Sequence, residues 1–176
     1  KKVPDVQVYY RGIDPTPIRE FVMKDWNDIT NFGGAVCLPG DVVFGAGGGV
    51  LRGGEPLLVI FLHGIGHADY VDAQLDDSDF PYWASSEMQS KFDEGGAFIL
   101  LPRAPEHKLV YWNTTLIEPL RAVIDDMIAK HGDNIDTTKI FIGGSSAGGE
   151  MTWDMAIAYP EYFAGIYPLA ATGTRT

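Results

Sequence analysis

From residue 57 onward the apolar positions fall into two alternating rhythms. Leu57–Leu62 is an unbroken apolar run, the pattern of a strand buried on both faces of a parallel sheet. Ala97–Leu101, stopped by Pro102, is a second such run. Ile140–Ile142 is a third, and Phe163–Tyr167, stopped by Pro168, is a fourth. Between them the period changes. Leu116, Leu120, Val123, Ile124, Met127 and Ile128 recur at three- and four-residue spacing and form one helical stripe. Thr115 with Glu118 reads as a capping box at its start, and Gly132 as a left-handed stop at its end. A second helix is predicted from about residue 147 to 159, closed by Pro160. Strands alternating with helices imply crossover connections, so the expected class is α/β with a mostly parallel sheet flanked by helices.

The first fifty residues are less regular. Val6–Tyr10, Glu20–Met23 and Ala35–Leu38 read as short strands. Pro15, Pro17, Pro39, Gly33-Gly34 and Gly53-Gly54 punctuate them as turns. The stretch Gly45–Gly49 fails as a phosphate loop. Val50 and Arg52 stand where a third glycine would fall, and no Gly-Lys-Ser/Thr follows, so it reads as a hairpin loop. No internal repeat or linker divides the chain, and residues 1–176 are read as a single domain.

Composition narrows the function classes. The chain has 24 acidic and 13 basic residues, a net charge of −11. Nucleic acid and anionic membrane both favour a basic face, so neither is an expected partner. No apolar run reaches the ~20 residues of a membrane span. Cys37 is the only cysteine; it excludes an internal disulfide framework and a cysteine-rich zinc site, and reads as a buried apolar residue. No cofactor or metal is expected. Oligomeric state is not legible.

The chemistry sits at the junction of the third strand and the second helix, in Gly143-Gly144-Ser145-Ser146-Ala147-Gly148-Gly149. Residues 144–148 satisfy G-x-S-x-G. A nucleophile on a sharp strand-to-helix turn needs small neighbours so that the chain can double back, which Gly144 and Gly148 supply. The following helix aims its free N–H groups at developing negative charge. Ser146 is therefore the candidate nucleophile. After the Leu57–Leu62 strand comes His63-Gly64-Ile65-Gly66, a loop placed to donate one oxyanion N–H, while the residue after the nucleophile donates the other. Those donors are Ile65 and Ala147, and His63 is expected to brace the loop.

These blocks carry a resemblance. Leu57–Leu62 with His63-Gly64, Phe98–Pro102 and Trp112-Asn113 is similar to the polyhydroxybutyrate-depolymerase and feruloyl-esterase group of α/β-hydrolases, carbohydrate esterase family one. So, more specifically, are Ile135-Asp136, Lys139–Gly149 and Tyr159–Ile166. The resemblance spans about residues 55–173; residues 1–54 match nothing in that group. It implies an α/β-hydrolase fold and a serine esterase acting through an acyl-enzyme on Ser146. The implied substrates are feruloyl, acetyl or polyester-type esters, small or polymeric. A secreted or periplasmic location is implied too, although no signal peptide stands at Lys1-Lys2-Val3. Some relatives have been labelled peptidases, so a serine peptidase of the same fold stays open, as does an inactive ligand-binding pseudoenzyme.

A serine nucleophile needs a base, and the base needs a carboxylate; in this fold the order is Ser, then acid, then His. His63, His67, His107 and His131 all precede Ser146, and the later acids Glu150, Asp154 and Glu161 lie on or beside the second helix. The expectation is that the acid and base lie in a C-terminal part absent from this chain or on another chain, and that these 176 residues alone hydrolyse esters poorly. Weaker features have plain readings. Asp76, Asp77 and Asp79 form a solvated turn rather than a calcium loop, and His67, Asp69 and Asp72 decorate a loop. Tyr82, Trp83 and Trp112 are substrate-cleft candidates, with core packing the equal alternative. Asn113-Thr114-Thr115 is a glycosylation sequon.

Overall fold

Two alternating apolar faces on the central strands decide the architecture. The computed structural model describes residues 21–25, 33–37, 56–65, 83, 88, 91–92, 97–104 and 112–173. The strands are β1 (Phe21–Asp25), β2 (Gly33–Cys37), β3 (Leu57–Leu62), β4 (Ala97–Arg103), β5 (Ile140–Ser145) and β6 (Gly165–Leu169). Helix α1 (Ile117–His131) precedes β5, and α2 (Ala147–Ala158) joins β5 to β6. The strands form a 6-stranded sheet in the order β1-β2-β4-β3-β5-β6. β4, β3, β5 and β6 run parallel, while β1 and β2 form an antiparallel extension beside β4.

On one face Leu58, Ile60 and Leu62 of β3 join Phe98, Leu100, Ile140 and Ile142. The helices cover them with Leu120, Val123, Ile124 and Met127 of α1 and Met151 and Met155 of α2. On the other face Val59, Phe61, Ala97, Ile99 and Leu101 cluster beneath Trp83, Phe92 and Tyr167. Each buried aliphatic or aromatic side chain contributes about 1.5–3 kcal/mol. Burial on both faces is the physical reason these strands read as continuous apolar runs.

The structure revises several local expectations. Gly33-Gly34 is not a turn but the start of β2, paired with Asp25 and Lys24 on one side and Arg103 and Pro102 on the other. Pro102 and Pro168 lie inside β4 and β6 rather than ending them. Pro168 is tolerated because β6 is the edge of the described sheet and pairs only with β5. The capping box does not form. Thr115 lies in a short 3-10 turn, Thr114–Leu116, and the Asn113 side chain caps that turn by accepting from the Thr115 N–H at 2.8 Å. Glu118 instead accepts from the Tyr159 hydroxyl at 2.7 Å. Gly132 has φ −60°, ordinary helical backbone, because the chain passes into a second 3-10 turn, Gly132–Asn134, instead of reversing hand. The expected strand Val6–Tyr10 and the Gly45–Gly49 loop lie outside the described residues.

Candidate active site

β5 ends at Ser145 and α2 begins at Ala147, so the reversal is made at Ser146 alone. Its backbone lies at φ 53° and ψ −116°. A non-glycine residue there is strained by roughly 1–3 kcal/mol, which surrounding packing must supply. Three glycines let that packing close. A Cβ on Gly144 would lie 2.6 Å from both the Leu62 carbonyl oxygen and the Gly148 carbonyl carbon, and one on Gly148 would overlap the Leu62 carbonyl. One on Gly149 would stand 2.8 Å from the Ala171 Cβ and 2.9 Å from the Leu169 carbonyl oxygen. The Ser146 N–H donates to the Leu169 carbonyl at 2.9 Å, and the Glu150 N–H donates to the Ser146 carbonyl at 2.9 Å. Serine at a helix N-cap ordinarily bonds the first-turn N–H groups. Ser146 makes no such bond, and it is exposed. Among the described residues its hydroxyl has no hydrogen-bond partner.

The loop after β3 abuts this turn. A Cβ on Gly64 would lie 3.6 Å from the Ser146 Cβ and 3.4 Å from the Ser145 carbonyl oxygen. Ile65 follows, 58% exposed. Ala147 is buried and opens α2, where backbone N–H groups have no intrahelical acceptor. His63 is fully buried. Its Nδ1 lies 2.8 Å from the Gly64 carbonyl oxygen, and its Nε2 accepts from the Ala104 N–H at 3.1 Å. Trp112 lies against the imidazole with ring centroids 5.0 Å apart, and its Nε1–H donates to the His63 carbonyl at 2.8 Å. At 1% exposure Trp112 belongs to the core, not to a cleft wall, because its indole fills the space under the loop.

Trp83 is half-buried on the opposite face, tilted against Phe61 and Tyr167 at centroid distances of 6.4 and 5.4 Å. Tyr82, Gly66, His67 and His107 lie outside the described residues, as do Asp69, Asp72 and the Asp76–Asp79 run. His131 ends α1, just before the chain re-enters the sheet at the start of β5, so its backbone stands at the edge opposite Ser146. Glu150 occupies the first turn of α2 and Glu161 follows that helix. Asp154 is buried on α2, and its Oδ2 makes no hydrogen bond among the described residues. Among those residues none hydrogen-bonds the Ser146 hydroxyl.

Comparisons with known proteins bear on the fold. A thermostable esterase shares 28% identity and superposes with a TM-score of 0.68, over 87% of this chain and 41% of its own. A ferulic acid esterase from the anaerobic fungus Anaeromyces mucronatus shares 18% identity at TM-score 0.60, over 96% of this chain and 64% of its own. An acetyl xylan esterase from Aspergillus awamori shares 21% at 0.58, over 88% and 52%. The chain has an α/β-hydrolase fold. Among curated sequences, poly(3-hydroxyalkanoate) depolymerase C of Paucimonas lemoignei is 41% identical over 51 residues, 29% of this chain and 12% of that protein. No protein-family model matches the chain. This α/β-hydrolase chain thus spans less than two thirds of the length of each of these relatives.

Three supports of the α/β-hydrolase turn escaped sequence reasoning. Tyr167 lays its ring over Gly143, where a Cβ would overlap it, and donates from its hydroxyl to the Ile60 carbonyl at 2.7 Å. Burial drives the Tyr167 phenol well above its usual range. Ala104 anchors His63 from 41 residues away. Ala170, at φ 50°, turns the chain after β6 so that Ala171 meets Gly149. Only the apolar run around Tyr167 hinted at any of these, because the contacts join elements distant in sequence.

Proposed function

We propose that Ser146 is the nucleophile of a carboxylic ester hydrolase and that turnover passes through an acyl-enzyme. The observation that carries this reading is the Ser146 backbone, held at φ 53° with an exposed, uncapped hydroxyl. In this mechanism the Ser146 oxygen attacks the ester carbonyl carbon, a base takes its proton, and the alcohol leaves protonated. Water then repeats the attack on the acyl-enzyme and releases the acid. The Ile65 and Ala147 N–H groups stabilise the oxyanion in both steps, with Gly144 and Gly148 giving the turn its room. The neutral imidazole and carboxylate of such a triad come from outside the described residues.

The substrate class is a carboxylic ester of feruloyl, acetyl or polyester type. The named neighbours support it: a ferulic acid esterase, an acetyl xylan esterase and a poly(3-hydroxyalkanoate) depolymerase. A net charge of −11 suits a neutral ester better than an anionic polymer. No described helix is long and apolar enough to cross a membrane. The test is a fluorophosphonate probe applied to the complete protein, with the modified peptide located by mass spectrometry. Ser146 should carry the phosphonyl group; Ser146→Ala should abolish labelling and Ser145→Ala should not. Labelling at Ser145 would overturn the assignment.

A further inference from the structure

His63 carries both ring nitrogens in hydrogen bonds, and the chemistry of its partners fixes the proton. The Ala104 N–H can only donate, so Nε2 must offer a lone pair. The remaining proton is on Nδ1, which donates to the Gly64 carbonyl at 2.8 Å. That carbonyl shares a peptide plane with the Ile65 N–H. No described peptide bond is cis, so the two groups point in opposite directions. Holding the Gly64 oxygen therefore aims the Ile65 N–H.

The sheet order gives the aim its direction. β3 lies between β4 and β5. Ala104 follows β4, and His63 reaches towards it. Ser146 follows β5 on the other flank of β3, with Gly64 against it. With the imidazole bridging the Gly64 carbonyl to Ala104 on the β4 side, the opposed Ile65 N–H is turned to the β5 side, that of the serine. Trp112 completes the arrangement by fixing the His63 backbone through its carbonyl and covering the ring.

We infer that neutral His63, protonated on Nδ1 and anchored by Ala104 and Trp112, is a positioning residue that orients the Gly64–Ile65 peptide as an oxyanion donor. The inference rests on the hydrolase reading above. It assigns His63 no proton transfer: with both nitrogens engaged, the ring has no free lone pair to act as the base for Ser146.

The two nitrogens can be separated by substitution in the complete protein. In His63→Asn the side-chain amide falls near the Nδ1 position and still donates to the Gly64 carbonyl. In His63→Gln it falls near Nε2, keeping an acceptor for Ala104 and losing the donor. Misalignment of one oxyanion donor costs about 10²–10³-fold in kcat. His63→Gln should lose kcat on that scale with KM changed little, and His63→Asn should recover at least tenfold of the loss. Equal kcat in the two variants, or a loss confined to KM, overturns the inference. Imidazole 15N NMR of the unmodified protein supplies a measurement that needs no variant to fold: a buried neutral ring with its proton on Nδ1 is expected, and a proton on Nε2 overturns the inference. Fluorophosphonate labelling separates the two levels. An unmodified protein that neither labels at Ser146 nor hydrolyses esters refutes the hydrolase reading and the inference with it; one that does both while the variants are equal refutes the inference alone.

Discussion

Strain at Ser146 is sustained by its neighbours' missing side chains. The glycines differ in what they tolerate. Gly148 has no room, since an added methyl would enter the Leu62 carbonyl, and a methyl on Gly144 would meet backbone at 2.6 Å on two sides. Backbone cannot yield as a flexible side chain would. Gly148→Ala and Gly144→Ala should each destabilise by about 1–3 kcal/mol or more, the usual range for overpacking, and should misplace Ser146. Gly64→Ala meets only ordinary contacts at 3.4 and 3.6 Å. It should unfold in urea within about 0.5–1 kcal/mol of the unmodified chain, the cost expected of a substitution without a clash. Urea midpoints of the three variants measure this; a Gly148→Ala protein as stable as Gly64→Ala would contradict the packing argument.

At the scale of elements, β6 pairs with β5 and also sends one side chain across that neighbour. Tyr167 crosses β5 to reach the Ile60 carbonyl on β3, packing Phe61 at a centroid distance of 6.1 Å on the way. Tyr167→Phe should cost about 1 kcal/mol, the net worth of such a bond. Burial raises the Tyr167 phenol, so the folded state holds this proton more tightly than the unfolded chain. Stability from this group is complete below the unfolded phenol range near about 10 and falls as pH rises above it. Urea denaturation at pH 8 and at pH 11 should show that loss, and Tyr167→Phe should lessen it; an unchanged alkaline slope would contradict the burial. A second junction ties α1 to the segment after α2. Arg121 lies 3.6 Å from the Tyr162 ring centroid, and the Tyr162 hydroxyl donates to Asp125 at 3.0 Å. Desolvation, reinforced by Asp125, raises the Tyr162 phenol in the same direction.

For the whole molecule the acidic balance sets a pH-dependent repulsion between copies. With a net charge of −11 at pH 7, copies repel one another, and that repulsion vanishes near the isoelectric point of about 4.6. Turbidity should peak near that pH and clear on either side; a flat profile from pH 4 to pH 7 would show that apolar contact, not charge, controls solubility. The apolar runs alone determined that this chain builds an α/β sheet, because a strand buried on both faces must be apolar at consecutive positions. G-x-S-x-G between a strand and a helix was equally legible, because the glycines are a local requirement of a sharp turn. Tertiary structure decided the rest. Pro102 and Gly33-Gly34 read locally as breaks, yet they sit in strands because β2 and β4 pair with each other. Trp112 reads equally as cleft or core, and only the fold brings it beneath His63. Gly132 reads as a helix stop, but the chain runs on into a 3-10 turn and keeps it in helical backbone. Sequence pattern records what a residue needs from its own element; which distant backbone group meets it is set only when the sheet order brings the strands together.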